Sequence, residues 1–134
     1  GGFDEVYKMS YAEADLPMRA RRAGFRVMYC PKAVTYHKVA ALGKKMNPFK
    51  IPMRAYYFAR NRVIYMKRFS SPYQFLVFFF IFFPLFTLYY TIWCLRLRDY
   101  ASLGMHLRGS VDAFIFALSG RVRDYFEKPG AWNV

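Results

Sequence analysis

The feature that most limits how this chain can fold is an uncharged apolar run over residues 75–95, in a sequence of 134 residues. At the helical rise of about 1.5 Å per residue, a helix of this length matches the roughly 30 Å hydrocarbon core of a lipid bilayer. The run therefore predicts a helix at residues 74–98 that enters a membrane. Because much of the apolar content lies in this one run, only a small water-soluble core is left.

Pro84 lies near the middle of the apolar run and predicts a kink, because proline removes a helical hydrogen bond. Basic residues flank the run on both sides, so the positive-inside rule selects no orientation. Two arrangements follow: a transmembrane helix, or a re-entrant hairpin that turns at Pro84 with both ends on the cytoplasmic face. We favour the spanning helix, because irregular backbone in lipid needs protein around it to satisfy its polar groups.

The chain is strongly basic, with a formal net charge of +13. Such a charge is also found in nucleic-acid-binding proteins. Here, however, the segment directly before the apolar run has no acidic residue, and basic residues continue after it, a distribution typical of attraction to anionic lipid headgroups. We therefore predict a membrane partner and no nucleic acid. The basic residues of residues 46–73 are Lys50, Arg54, Arg60, Arg62, Lys67 and Arg68.

Residues 1–45 alternate helix and strand signals. Glu13 and Asp15 open a helix that Gly24 ends. Residues 25–30 and 34–37 have the composition of two extended strands. We therefore predict an α/β fold for this part, with a helix laid on a sheet edge. The residue at position 1 is glycine and no leader precedes it, so we expect a C-terminal fragment without a signal peptide.

The remaining segments extend the membrane interpretation. Residues 46–73 mix aromatic and basic side chains, which suits an interfacial segment in the headgroup layer. Residues 99–134 predict an amphipathic helix, with Arg108 and Asp112 paired four residues apart and a solvated, frayed tail beyond Gly120. The apolar stripe of that helix comprises Leu103, Leu107, Val111, Phe114 and Leu118.

Short motifs in the N-terminal part occur in a recognisable order. They read Gly-Gly-Phe-Asp-Glu at residues 1–5, Ala-Glu-Ala-Asp-Leu at 12–16, Tyr-Cys-Pro-Lys-Ala at 29–33 and Tyr-His at 36–37. In this order and spacing they resemble the C-terminal part of the catalytic domain of family 2 glycosyltransferases, particularly the rhamnosyltransferase-like members. The Arg-Asn-Arg motif at 60–62, after a run of aromatic residues, is similar to the stretch that leads into a membrane segment in many such proteins.

The resemblance implies a fold and an activity. It implies the C-terminal portion of a GT-A (Rossmann-like) domain, followed by a helical membrane-associated region. The implied enzyme inverts configuration, moving a sugar from a nucleotide-sugar donor, such as dTDP-rhamnose, to a saccharide or lipid-linked acceptor in polysaccharide biosynthesis. A fragment without the donor-binding half is expected to be inactive alone, and its catalytic part is expected on the cytoplasmic side of the membrane.

The resemblance also implies roles for individual residues. Glu13 stands where the family has its catalytic aspartate, and Asp15 would raise the pKa of Glu13 by like-charge repulsion. His37 is implied as a ligand of a divalent cation, Mg²⁺ or Mn²⁺, whose other ligands belong to an Asp-x-Asp motif that this sequence lacks. Arg19 is either a helix-end cation or a diphosphate contact. The implied substrate-binding residues are Gly1, Gly2, Asp4 and Arg19.

A second interpretation comes from another class of protein. In it the chain is a non-catalytic membrane-anchored interaction module, whose N-terminal part folds beside the bilayer and recruits a partner through its basic surface. This interpretation predicts neither metal dependence nor nucleotide-sugar binding.

Overall fold

The computed structural model describes residues 2–36 and 51–127, and within them the chain is helical. Helix α1 covers Ala12–Arg22, α2 covers Pro52–Phe69, α3 covers Pro72–Arg96 and α4 covers Tyr100–Ser119. Short connections join α2 to α3 and α3 to α4, and α4 packs against both of the other helices in a three-helix bundle. The closest packing is between α2 and α4. A 3₁₀ turn, Tyr125–Glu127, follows.

Helix α3 contains the apolar run and continues through Pro84. It begins in a capping box, in which Ser71 accepts from the backbone of Gln74 and Gln74 reaches back to the backbone of Ser71. A π-helical segment, Phe78–Phe82, precedes Pro84 and accommodates the missing proline N–H. The re-entrant turn at Pro84 is therefore absent. Helix α3 is long and apolar enough to span a membrane, and only 17% of its most apolar window is buried.

Small residues allow α2 and α4 to approach closely. The buried residues of α4 recur at spacings of four and three, which defines one seam along the helix. Gly109 lies in this seam directly against the backbone of Tyr56, because a Cβ built on Gly109 would lie 2.3 Å from that carbonyl oxygen. Ala55 and Ala59 are buried on α2. The seam of α4 consists of Ser102, His106, Gly109, Ala113 and Phe116.

The stripe predicted for α4 mostly faces outward. Leu107, Val111 and Leu118 are exposed, and Phe114 is half exposed but stacks on Phe79 of α3 at 5.7 Å between ring centroids. The predicted Arg108–Asp112 pair does not form within ion-pair distance. Instead, the guanidinium of Arg108 lies over the Tyr125 ring, and Asp112 accepts a hydrogen bond from Tyr56.

The predicted α/β fold is wrong, and with it the C-terminal portion of a GT-A (Rossmann-like) domain. None of the described residues forms a strand. Residues 25–36 form no regular element apart from a turn at 31–32, and their large apolar side chains are exposed; Tyr29 and Tyr36 are 88% and 91% exposed. A strand requires a second strand for its hydrogen-bond ladder, and helix α1 packs on α2 and not on a sheet.

We expect Gly109→Ala to destabilise the bundle by about 2 kcal/mol, because the added methyl group meets the Tyr56 backbone, which cannot give way as a flexible side chain would. Gly104→Ala is the matched control on the same helix, since nothing lies within 4 Å of its Cβ position. It should raise stability by roughly 0.5–1 kcal/mol through helix propensity. Thermal unfolding followed by circular dichroism measures both. Equal effects of the two substitutions would contradict the described seam.

Candidate functional site

Three consecutive side chains of α2 hold the N-terminal loop, residues 2–11. We call Arg60, Asn61 and Arg62 the RNR triplet. Their donors reach three backbone carbonyls and one hydroxyl of the loop, so the loop is positioned by buried polar groups and not by apolar packing alone. The four contacts are Arg60 Nη2 to Val6 O (2.6 Å), Asn61 Nδ2 to Met9 O (2.8 Å) and Ser10 O (3.2 Å), and Arg62 Nε to Tyr11 Oη (3.2 Å).

The hydrogen bonds of Asn61 fall where the loop backbone is strained. Ser10 and Tyr11 both adopt left-handed φ angles, 63° and 71°, which are unfavourable for residues with a Cβ. Directly afterwards α1 begins at Ala12, and the Tyr11 carbonyl accepts the first helical hydrogen bonds. The Asn61 amide therefore stabilises the turn that sets the direction of α1.

Arg60 also ties the C-terminal tail to the bundle. Its side chain is 1% exposed and forms an ion pair with Asp124, with 3.0 Å between Nη1 and Oδ2. The Tyr57 hydroxyl donates to the same carboxylate, and Phe126 is buried against Tyr57. The expectation of a solvated, frayed tail is wrong for residues 124–126, because Asp124 neutralises a guanidinium that would otherwise be buried without a partner.

A second polar group joins α1 to α2 and the loop. We call Asp4, Asp15, Arg19 and Arg68 the acid–arginine cluster. Asp15 is fully buried and lies 2.6 Å from Nε of Arg19 and 3.6 Å from Nη1 of Arg68. Arg68 also contacts Asp4 at 2.7 Å, and Arg19 donates to the Gly2 carbonyl at 2.8 Å. The cluster lines a cavity of about 550 Å³.

The titration behaviour near this cluster follows from its contacts. The backbone N–H of Val6 donates to Asp4 and lowers the pKa of that carboxyl group, and Arg68 lowers it further. The neighbouring Tyr7 is buried, and desolvation raises the pKa of its hydroxyl group to about 12. Both groups therefore keep their ordinary charge states at neutral pH, with Asp4 ionised and Tyr7 neutral.

The two acids predicted for catalysis have different surroundings. Glu13 is exposed on the first turn of α1 and has no hydrogen-bond or ion-pair partner among the described residues. Asp15, two residues later, is occupied by arginines. Glu13 can therefore meet a substrate, whereas Asp15 fastens α1 to the bundle.

The structure describes some of the other predicted site residues but not all of them. Arg19 and Asp4 are engaged within the protein, and Gly2 contributes its carbonyl to Arg19. Gly1 and His37 lie outside the described residues.

Within residues 2–36 and 51–127, no three histidine, cysteine or acidic side chains gather as a metal site. The divalent cation, Mg²⁺ or Mn²⁺, stays a prediction.

Sequence reasoning missed the buried role of the RNR triplet. The signal was present, because the arginines of α2 scatter around the helix axis. A surface helix keeps its cations on one side, so arginines on every side require some of them to face protein acceptors.

Comparison with protein-family models, curated proteins and solved structures finds no match for this chain. The motif resemblance to family 2 glycosyltransferases therefore remains an expectation about function.

We expect Asn61→Ala to lower the free energy of unfolding by about 2 kcal/mol, because it leaves the Met9 and Ser10 carbonyls without their donor. Limited proteolysis should also show faster cleavage between residues 5 and 12. Arg54→Ala is the control, since Arg54 is exposed on the same helix. Unchanged cleavage of the loop in Asn61→Ala would contradict the role assigned to the triplet.

The stability contributed by Asp4 should depend on pH. Its pKa is lowered in the folded state, so its contribution is present above the unfolded value of 3.8 and is lost as pH falls through the lowered value. Asp4→Asn should cost roughly 1 kcal/mol at pH 7. Denaturant unfolding at a series of pH values should show wild type and variant converging below that window. If the two proteins still differed in free energy of unfolding in acid, the effect of Asp4→Asn would come from packing and not from the charge of Asp4.

Proposed function

We propose that this chain is the membrane-attached part of a glycosyltransferase, which rests on a bilayer through the apolar face of α3 and α4 and presents α1 for sugar transfer. The single observation that carries the proposal is that apolar face. Large apolar side chains of two adjacent helices face outward together, and exposed patches of this kind mark interaction or membrane surfaces. The face includes Phe80, Ile81, Leu88, Ile92, Val111, Phe114 and Leu118.

The charges of α2 support an arrangement along the bilayer surface. The Arg62 guanidinium lies 4.2 Å from the centre of the Phe86 ring, so α2 brings a cation to the middle of α3. If α3 crossed the bilayer, this cation would lie near its centre, at a cost of about 3 kcal/mol. A bundle lying along the surface avoids this cost, with α3 and α4 toward the lipid. Basic residues such as Arg54 favour the anionic cytoplasmic leaflet.

The sugar-transfer part of the proposal rests on Glu13 and its motif. An inverting transferase needs one base to take the proton of the acceptor hydroxyl while that oxygen attacks the anomeric carbon of a nucleotide sugar. An exposed carboxylate suits this task because it is accessible, and the ion pairs of Asp15 with Arg19 and Arg68 hold the helix that carries it. The acceptor proposed is a saccharide or lipid-linked saccharide, which a surface-attached enzyme meets in two dimensions.

The second candidate is a non-catalytic membrane-anchored interaction module. The observation that favours it is the helical fold of the described residues, in which Asp15, one of the two acids predicted for catalysis, forms structural ion pairs. Like the first candidate, it predicts that the protein binds lipid vesicles through the apolar face of α3 and α4. It differs in predicting no binding of nucleotide sugars by the complete protein.

Glu13→Gln in the complete protein should lower kcat for transfer from a radiolabelled nucleotide sugar by about 100-fold, because the amide cannot accept the acceptor proton. The assay uses a donor panel that includes dTDP-rhamnose, with membrane saccharides as acceptors. KM for the donor should change little. Glu13→Asp should retain part of the activity, since it keeps the carboxylate.

Glu5→Gln is the matched control, because Glu5 is also an exposed acid of the N-terminal part. It should leave kcat within about twofold of wild type. Wild-type turnover in Glu13→Gln would remove Glu13 as the base. Absence of donor binding and turnover in the wild-type complete protein would favour the interaction module.

A further inference from the structure

We propose that a groove between α2 and α3 binds the headgroup phosphate of an anionic membrane phospholipid, with Arg62 as the cation and the apolar side chains of α3 along the acyl chains. The groove has a volume of about 600 Å³. The proposal rests on the membrane attachment proposed above and goes beyond it, because it names one lipid class and one protein site. The walls include Phe58, Leu85, Phe86 and Tyr89, and Arg62 and His106 supply nitrogen atoms.

Arg62 differs from the other buried arginine of the RNR triplet. Arg60 has the Asp124 carboxylate as its partner. No carboxylate of the described residues lies within ion-pair distance of Arg62, whose only hydrogen bond there goes from Nε to the Tyr11 hydroxyl. Its residue is 8% exposed, and its guanidinium lies between the Phe58 and Phe86 rings. A nearly buried cation without a counter-ion is costly, so an external anion is the missing partner.

The unused donors of Arg62 suit a phosphate. Its terminal nitrogens have no acceptor among the described residues, and a guanidinium fork can bind two phosphate oxygens at once. The aromatic rings on both sides fix the plane of the guanidinium, which reduces the entropy lost when the phosphate binds. Arg62 therefore offers a preorganised anion site inside an apolar groove.

His106 provides a second, independent polar group in the same groove. It is 2% exposed, and neither ring nitrogen meets full hydrogen-bond geometry with a partner in the described part of the chain, although the Ala55 backbone is close enough to act on the ring. Its ring stacks on Tyr90 at 4.1 Å between centroids. Burial lowers the pKa of His106 to about 4, so the ring is neutral at pH 7 and carries one N–H donor. A phosphate oxygen or glycerol hydroxyl would satisfy it.

The occupant is a bilayer phospholipid because the groove continues into the membrane-facing surface. Leu85 and Tyr89 line the groove and are also 56% and 63% exposed on the outer face of α3. Acyl chains lying along α3 would cover these exposed side chains, whereas a soluble phosphate compound would leave them uncovered. Phosphate charge and acyl chains together match the two kinds of surface in the groove.

The first test uses native mass spectrometry of the complete protein in uncharged detergent with equal amounts of phosphatidylglycerol and phosphatidylcholine. Wild type should retain phosphatidylglycerol in about tenfold preference, because the choline cation of phosphatidylcholine offsets its phosphate charge and weakens the attraction to Arg62. Arg62→Gln should lose this preference. Arg96→Gln, which removes an exposed cation at the end of α3, should keep it. No preference in wild type, or an intact preference in Arg62→Gln, would overturn the proposal.

A matched apolar pair keeps the proposal testable if Arg62→Gln fails to fold. Leu85 and Leu88 are both 56% exposed on α3, but only Leu85 lines the groove. Leu85→Gln should reduce phosphatidylglycerol retention several-fold more than Leu88→Gln does, and equal reductions would overturn the groove as the site.

Vesicle co-sedimentation distinguishes failure of the groove proposal from failure of the proposed function. Wild type that binds vesicles but shows no lipid preference contradicts the groove alone, whereas wild type that binds no vesicles contradicts the proposed function.

Discussion

The structure depends on hydrogen-bond donors buried in the middle of α2. Arg60 and Asn61 place donors where apolar side chains would normally pack, and the loop and tail supply the acceptors. Buried donors without acceptors are costly, so α2 and the segments around it stabilise one another. Removing the loop or the tail would leave charged or amide groups unsatisfied within the bundle. This mutual dependence explains why segments far apart in sequence meet at one turn of α2.

The two buried arginines of the RNR triplet have different partners. Arg60 is neutralised within the protein by Asp124, so it serves the architecture. Arg62 is held by aromatic rings and a hydroxyl group, and it lies beside the apolar helix α3. Two neighbouring residues of the same type thus face different environments. Arg60 is paired inside the protein, and Arg62 brings a positive charge to the apolar helix α3.

Sequence patterns predicted where the helices lie better than they predicted which segments pack against each helix. The helix opened by Glu13 and Asp15 is present as α1, and Gly24 follows it with a left-handed φ of 86°. The apolar run lies in α3, because its length and lack of charge are local properties. The strands were predicted from composition alone, yet a strand depends on a neighbour that local sequence does not specify. Burial of Arg60 and Asp124 depends on contacts across 64 positions of the chain, which no periodicity reveals.

The candidate site was only partly predictable for a related reason. Motif spacing singled out Glu13 as the base and gave the neighbouring Asp15 a supporting role in the same site, because both are acids at the start of one helix. Only packing separates them, since Asp15 turns inward to Arg19 and Arg68 while Glu13 faces outward. The contacts of Asp15 therefore hold the part of α1 that carries Glu13. An accessible acid held in this way is the feature that sugar transfer would require.

The central claim is that the N-terminal loop and α2 form one cooperative unit, and native-state hydrogen exchange of the wild-type complete protein in lipid bilayers tests it most directly. The Val6 and Tyr7 amides donate within the loop, and the Asp15 amide donates to the Tyr11 carbonyl. The account predicts that these amides exchange with the same free energy of opening as the central amides of α2. Loop amides that exchange at unprotected rates while α2 stays protected would contradict it.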